Sequence, residues 1–309
     1  MKKLFRGNNA IKAWSAVYLL LLFTLVLPLL NVLTISFIMI PAVILYVKLD
    51  KTSFILYYAG IHAIILLVIS LLFGNLLLGT LPIMMSLFFL APAMVIGHLY
   101  RKKTAARTVL TAGVLTLLGE LLLCLVILAG FGANFNEAFA QSIRDSLALM
   151  PQLSDLASGD INKLIQLTLQ MLPLFLIAFS LYYIIITHAI SRKILNKQGE
   201  GLPGLGPIKD WRLPKAFVWC YFIAMILSLF TDPEIDSGLF VILLNLLPLL
   251  TFALAIQAVS FLFFLADAKR WNKTLPVVGI IMCFFMSNVL SILGIIDLVF
   301  DIRKRFKPQ

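Results

Sequence analysis

Long apolar runs separated by short polar breaks fill this chain almost from end to end. Residues 14–47 are nearly continuous, too long for one membrane crossing, and Pro28 and Asn31 near their middle divide them into spans 14–30 and 32–47, the second interrupted by Pro41. Seven further runs follow at 54–73, 76–97, 108–131, 164–190, 213–230, 239–266 and 275–300. A helical crossing needs about 20 apolar residues. The runs are continuous rather than alternating, which favours helices over a barrel. The pattern predicts an all-α integral membrane protein, a polytopic helical bundle of about nine (eight to ten) transmembrane helices. Pro82 and Pro92 predict kinks in the fourth span, and the length of the eighth predicts tilt.

The polar intervals orient these spans. Lys2, Lys3, Arg6 and Lys12 precede the first run, and no Ala-x-Ala site ends a short apolar core, so an uncleaved anchor with a cytoplasmic N-terminus is expected. Arg101, Lys102, Lys103 and Arg107 form the strongest inside loop, with no acid among them. Segment 133–163 is mildly acidic and expected outside. Phe135, Phe139, Ile143 and Leu147 recur on one helical face there, as in a helix lying on the membrane surface. Asp160 is a candidate N-cap for the sixth span, and 231–236 forms an acidic outer turn. Residues 199–207, rich in Gly and Pro, predict a flexible cytoplasmic loop. The expected organisation is a six-span N-terminal membrane bundle over 1–198, a linker over 199–212, and C-terminal spans with a basic tail over 213–309. One conflict remains in this scheme. Nine spans from an inside N-terminus put the C-terminus outside, whereas the basic cluster 303–307 argues for inside. A hairpin at Pro248 or a re-entrant segment near Asn288 would remove it.

Composition narrows the class. Hydrophobic residues make up 61% and charged residues 13%, which excludes an ordinary soluble domain. The net charge of +11 sits in short clusters between apolar runs, an attraction to lipid headgroups rather than to nucleic acid. Cys124, Cys220 and Cys283 lie singly in apolar runs, without metal spacing. No zinc-protease, nucleophile-elbow or phosphate-loop motif occurs, so no catalytic residue, metal or cofactor is expected.

Charge at membrane depth costs about 3 kcal/mol on insertion scales and marks functional candidates. Glu120 lies at the centre of the fifth span beside Gly119, and His62 near the middle of the third is its natural partner for a proton relay or a polar solute. The plainer alternative is a neutral Glu120 hydrogen-bonded between helices. Asn245, Gln257 and Asn288 are polar intramembrane residues suited to interhelical hydrogen bonds. Asp297, Asp301 and Arg305 share a face at four-residue spacing. With Arg303, which can pair with Asp297, they suggest an anchor or docking surface.

The ending Leu293-Gly-Ile-Ile-Asp-Leu-Val-Phe-Asp-Ile-Arg303 resembles that of the YybS-like family of multi-pass membrane proteins of Firmicutes, which close on Leu-Gly-x-x-Asp-x-x-x-Asp-x-Arg. Asn245 and Gln257 also match that family's penultimate span, although Ala258 stands where a Gly is usual. The resemblance implies a fold similar to the substrate-binding subunits of energy-coupling-factor (ECF) vitamin transporters. It thereby implies a plasma-membrane protein that binds or helps transport a small solute, with another membrane subunit as partner. Ala10, Ala13 and Ala16 run at three-residue spacing, unlike the Ala-x-x-x-Ala of the docking helix in those subunits. The alternative function is a non-transporting membrane scaffold or signalling partner acting through its basic cytoplasmic loops.

Overall fold

A computed structural model of the chain describes residues 8–132, 134–148, 161–231, 238–271 and 274–306. Among them all regular structure is helical. Asp160, the turn 232–236 and Lys307 lie outside the described residues, as do the side chains of Leu147 and Arg305. Contacts divide the chain into two units, Met1–Phe135 with Leu176–Gly204, and Asn136–Phe175 with Leu205–Gln309. The segment after the fifth span therefore groups with the C-terminal spans rather than with the N-terminal bundle.

The N-terminal unit contains α1 (Asn8–Thr24), α2 (Leu30–Ile35), α3 (Met39–Lys48), α4 (Lys51–Phe73), α5 (Leu76–Phe88), α6 (Leu90–Arg101), α7 (Ala106–Gly130) and most of α10 (Leu172–Lys197). Its core is apolar and aromatic, with Tyr18, Leu22, Ile44, Ile69, Ile96, Leu117 and Ile184 buried. Asp50 starts α4 by accepting from the Ser53 amide at 3.1 Å, and hydrogen bonds from the Ser53 side chain and backbone hold its carboxyl below the usual range. The fourth run bends by 41° at Phe89. Pro92 explains this, since it has no N–H for the Phe88 carbonyl; Pro82 sits inside α5 without ending it.

The basic breaks gather at one end of this unit. Arg101 donates to the Tyr46 and Leu49 carbonyls, and Lys48 pairs with Glu200. Arg192 Nε donates to the carbonyls of Leu202 (3.1 Å) and Pro203 (2.9 Å), while Asn196 and Leu202 bond reciprocally. The 199–207 stretch is a loop, but it is not free. The carbonyls of Leu202 and Pro203 in its first half accept from the Arg192 and Asn196 side chains near the end of α10.

The C-terminal unit contains α8 (Phe135–Ala148) from Asn136 on, α9 (Ile161–Gln170), α11 (Ala216–Leu229), α12 (Gly238–Ala268), α13 (Thr274–Phe285) and α14 (Ser287–Phe300). The second half of the Gly/Pro loop is docked here. Ser260 Oγ lies 2.7 Å from both the Ile208 and Trp211 carbonyls, and Trp211 Nε1 donates to Gly206 O at 2.9 Å.

The ninth run is not one span. It breaks at Met286 (φ −134°, ψ 41°), with no proline or glycine at the break. Helix direction follows from contacts with α12. Gly294 lies against Leu254 and Ala258, Asp297 bonds Gln257, and Arg303 bonds Ser260, so α14 runs parallel to α12. Gly279 lies against Val259 and Leu262, and the one-residue break leaves α13 only the antiparallel direction. Helices α13 and α14 thus form a hairpin on α12. Its two ends sit beside the end of α12, where Lys209 bonds Asp267 at 2.6 Å. Each arm is short: 12 and 14 residues make about 18 and 21 Å at 1.5 Å per residue.

Among the described residues, five stretches can cross a membrane by length and hydropathy: Leu30–Lys48, α4, α7, α10 and α12; the bent α5–α6 pair makes a sixth. Helices α1, α11 and α14 are shorter apolar helices.

Candidate functional site

The expected Asp297–Asp301–Arg305 face does not exist as one helical stripe. Asp301 takes a left-handed conformation (φ 47°, ψ 40°) that ends α14. A short polar side chain tolerates that region better than most residues. The turn sends the two acids to different partners. Asp301 meets Arg212, Lys215 (3.3 Å) and Lys304 (3.2 Å) at the surface of the unit. Arg303 folds back over Asp297, six residues earlier, a spacing that a continuous helix would put on another face.

Asp297 is fully buried and Arg303 nearly so. Arg303 Nη2 donates to Asp297 Oδ2 at 2.8 Å, and Nε lies 3.1 and 3.0 Å from the two carboxylate oxygens. Nη2 also reaches Ser260 Oγ at 3.1 Å, and Nη1 donates to Lys209 O at 2.7 Å. Gln257 Nε2 donates to Asp297 Oδ2 at 2.6 Å, while its Oε1 accepts from Leu213 N at 2.8 Å. The guanidinium lies 5.4 Å from the Phe264 ring. One charge pair therefore ties together α12, α14, the tail and the loop before α11. Its polar groups satisfy one another, so the arrangement is a structural clamp. Gly294 makes it possible: a Cβ there would lie 2.9 Å from the Leu254 carbonyl carbon and 3.3 Å from Ala258 N, so α12 and α14 meet backbone to backbone.

Asn245 has a different task. Helices α9 and α10 are separated at Met171, and Asn245 Oδ1 accepts from Leu174 N at 2.8 Å while Nδ2 donates to Gln170 O at 2.8 Å. In a continuous helix those two backbone groups would bond each other. The side chain has taken both ends of that bond. Asn245→Leu is expected to take this partner from both half-buried groups and to destabilise by about 1–3 kcal/mol, read as a lower melting temperature in detergent. An unchanged melting temperature, with unchanged amide exchange at Leu174, would remove this role. Asn288 lies exposed at the start of α14.

In the N-terminal unit, Tyr58 and His62 share a face of α4. Tyr58 Oη lies 2.6 Å from Ser86 Oγ on α5, and Tyr18 on α1 also hydrogen-bonds Ser86. His62 Nδ1 is 2.6 Å from Tyr58 O. A carbonyl can only accept, so Nδ1 carries the hydrogen. Nε2 is buried with no hydrogen-bond partner. The Tyr58 and Tyr18 rings lie 4.2 and 6.1 Å from the imidazole.

Glu120 continues the inward stripe Ala106, Val109, Gly113 and Leu117 of α7. It is half-buried, and its Oε2 is enclosed without a partner. The expected His62–Glu120 pair does not form: His62 spends Nδ1 on Tyr58 O and leaves Nε2 open. Helix α4 packs on α1, α3 and α5, whereas α7 packs on α6. His188 is buried with Nδ1 2.9 Å from Tyr100 Oη. The sequence reading missed Tyr18, Tyr58, Ser86 and Ser260. Only Tyr58 carried a signal, its four-residue spacing from His62. Among the described residues no cluster of three or more His, Cys, Asp or Glu could hold a metal ion.

Apolar helices of membrane-crossing length, with polar side chains spent on one another between them, define a polytopic α-helical membrane protein. The family described as predicted membrane protein (DUF2232) matches residues 15–298, and the chain belongs to that family. The matched stretch includes Asn245, Gln257, Gly294 and Asp297 and ends before Asp301 and Arg303. The chain is also similar to a Bacillus subtilis (strain 168) protein, "Uncharacterized protein YybS". The two are 24% identical over 224 residues, 68% of this chain and 72% of that protein. No solved structure matches.

Proposed function

We propose that this protein binds, or helps to move, a small polar solute across the plasma membrane, in the manner of a transporter's substrate-binding subunit. In this reading the N-terminus is cytoplasmic and the chain makes about nine apolar passages, the last one folded back on itself. The observation that carries the reading is His62 Nε2, a buried acceptor left open beside the Tyr18–Ser86–Tyr58 hydroxyls. An unmet polar atom in an apolar core is destabilising, so packing alone gives no reason to keep it. Glu120 remains the second candidate for the same solute or for an accompanying proton. The test is a thermal-shift screen of vitamins and small metabolites on the full chain in detergent. A ligand at a hundred times its Kd adds about 2.7 kcal/mol of stability. That gain is expected in the wild type and absent in His62→Ala. If no compound stabilises the wild type and His62→Ala melts at the same temperature, the solute reading is wrong.

A second reading, a membrane scaffold or signalling partner, is favoured by Lys102 and Lys103, which stand exposed beyond α6 at the basic end of the N-terminal unit. It expects another membrane protein to co-purify with the chain, and Lys102→Gln/Lys103→Gln to abolish that association without altering the melting temperature.

A further inference from the structure

The hairpin α13–α14 carries a consequence for the membrane that does not depend on His62. The two arms run in opposite directions along α12, so residues 274–300 make no net crossing of the hydrocarbon layer, which is about 30 Å thick. Both arms leave from the end of α12 that also holds the 208–215 loop. Lys209 bonds Asp267 there, Arg303 bonds Lys209 O, and Asp301 meets Arg212 and Lys215. We infer that residues 274–300 form a re-entrant hairpin that enters and leaves the bilayer on the face of the 208–215 loop, with its apex at Met286–Asn288 reached by water from the opposite face. The tail from Arg303 onward then lies on the same face as that loop. This removes the conflict between an odd number of crossings and a basic C-terminus.

The water follows from the backbone. A chain that leaves helical geometry inside hydrocarbon must bury its free N–H and C=O groups in protein or open them to water. A helix that begins at Ser287 presents N–H groups with no partner within the helix. The apex is not buried by its own chain: Phe285 is 85% exposed and Met286 46%, and Asn288 is exposed as well. Asn288 also places an amide there, a group that hydrocarbon disfavours and water accepts. The apex is therefore the floor of an aqueous recess, open to small polar solutes on the side away from the tail.

Cysteine accessibility in intact cells tests both parts. Cys124, Cys220 and Cys283 are replaced by Ser, and single cysteines are introduced in the full chain as Asp210→Cys, Lys304→Cys, Thr231→Cys, Asn288→Cys and Ile281→Cys. The probe is a charged, membrane-impermeant methanethiosulfonate, applied before and after permeabilisation. Asp210→Cys and Lys304→Cys are expected to react from one side, Thr231→Cys and Asn288→Cys from the other. Ile281 is an exposed apolar position on α13, and Asn288→Cys should react at least about tenfold faster than Ile281→Cys if the apex is wet. Reaction of Lys304→Cys from the side of Thr231→Cys overturns the hairpin. Asn288→Cys reacting no faster than Ile281→Cys overturns the recess. Should the cysteine-free background fold poorly, reporter fusions after residues 212, 231 and 306 read the same sidedness in the native sequence, and a tail reporter on the side of the 231 fusion overturns the hairpin again.

Discussion

Asp297→Asn and Arg303→Gln are each expected to destabilise the C-terminal unit by about 3–5 kcal/mol, because each leaves a buried charge without its partner. The geometry explains the size. Arg303 spends its guanidinium on Asp297, Ser260 and Lys209 O at once, and Asp297 also accepts from Gln257. With Asn at 297, an NH2 group would face the donors of Arg303 or Gln257. With Gln at 303, the buried carboxylate would keep only Gln257 and a weaker amide contact. Arg303→Lys tests shape apart from charge. A single ammonium cannot reach Asp297, Ser260 and Lys209 O together, so Lys should recover only part of the loss. The double variant Asp297→Asn/Arg303→Gln should be more stable than the sum of the singles predicts, since no charge is then stranded. Melting in detergent and amide exchange over 254–260 and 294–306 are the measurements. Single losses below about 1 kcal/mol, or a strictly additive cycle, would show that the pair is not the clamp described.

The sequence made the cost of these charges visible but not their partners. Asp297 stood out as an acid in an apolar run, and pairing with Arg303 was within reach of a local argument. The six-residue return was not, because it depends on a left-handed Asp301. Ser260 and the 208–211 carbonyls are 43 or more residues away from Arg303 in the chain. Asn245 was legible as an interhelical donor and acceptor, yet its partners beyond its own helix lie where α9 and α10 part at Met171. His62 and Glu120 were singled out by cost alone. Cost does not say which helices are neighbours, and the bonds His62 makes lie within α4. The Tyr18–Ser86 link is 68 residues long and left no periodic trace. Kinks fared better where their cause is local: Pro92 predicts the bend at Phe89. The break at Met286 has no such residue. Hydropathy records how apolar the 275–300 run is and not the direction in which its second half travels.

Gly294→Ala is expected to be far more damaging than a one-carbon change elsewhere in the hairpin. The new Cβ would be driven into the Leu254 carbonyl, a backbone group held by its own helix, with Ala258 N 3.3 Å away. Nothing there can rotate aside, so α12 and α14 must separate. Overpacking of this kind costs about 1–3 kcal/mol, and Gly294→Leu should cost more. Gly279→Ala is the matched control. Its Cβ would meet Leu262 Cδ1 at 2.8 Å, the far end of a flexible side chain that can turn away. That variant should stay within about 0.5 kcal/mol of the wild type. Separation of α12 from α14 would also stretch the Gln257–Asp297 and Arg303–Ser260 bonds, at 2.6 and 3.1 Å. Gly294→Ala should therefore lower the further cost of Arg303→Gln, because the clamp it breaks is already loosened. Equal melting losses at Gly279 and Gly294, or full additivity of Gly294→Ala with Arg303→Gln, would mean that close backbone approach is not what holds the clamp together. If the contrast holds, the glycine and the two charges of the closing motif act as one device. The glycine brings two backbones into contact, and the charge pair fastens the tail across them.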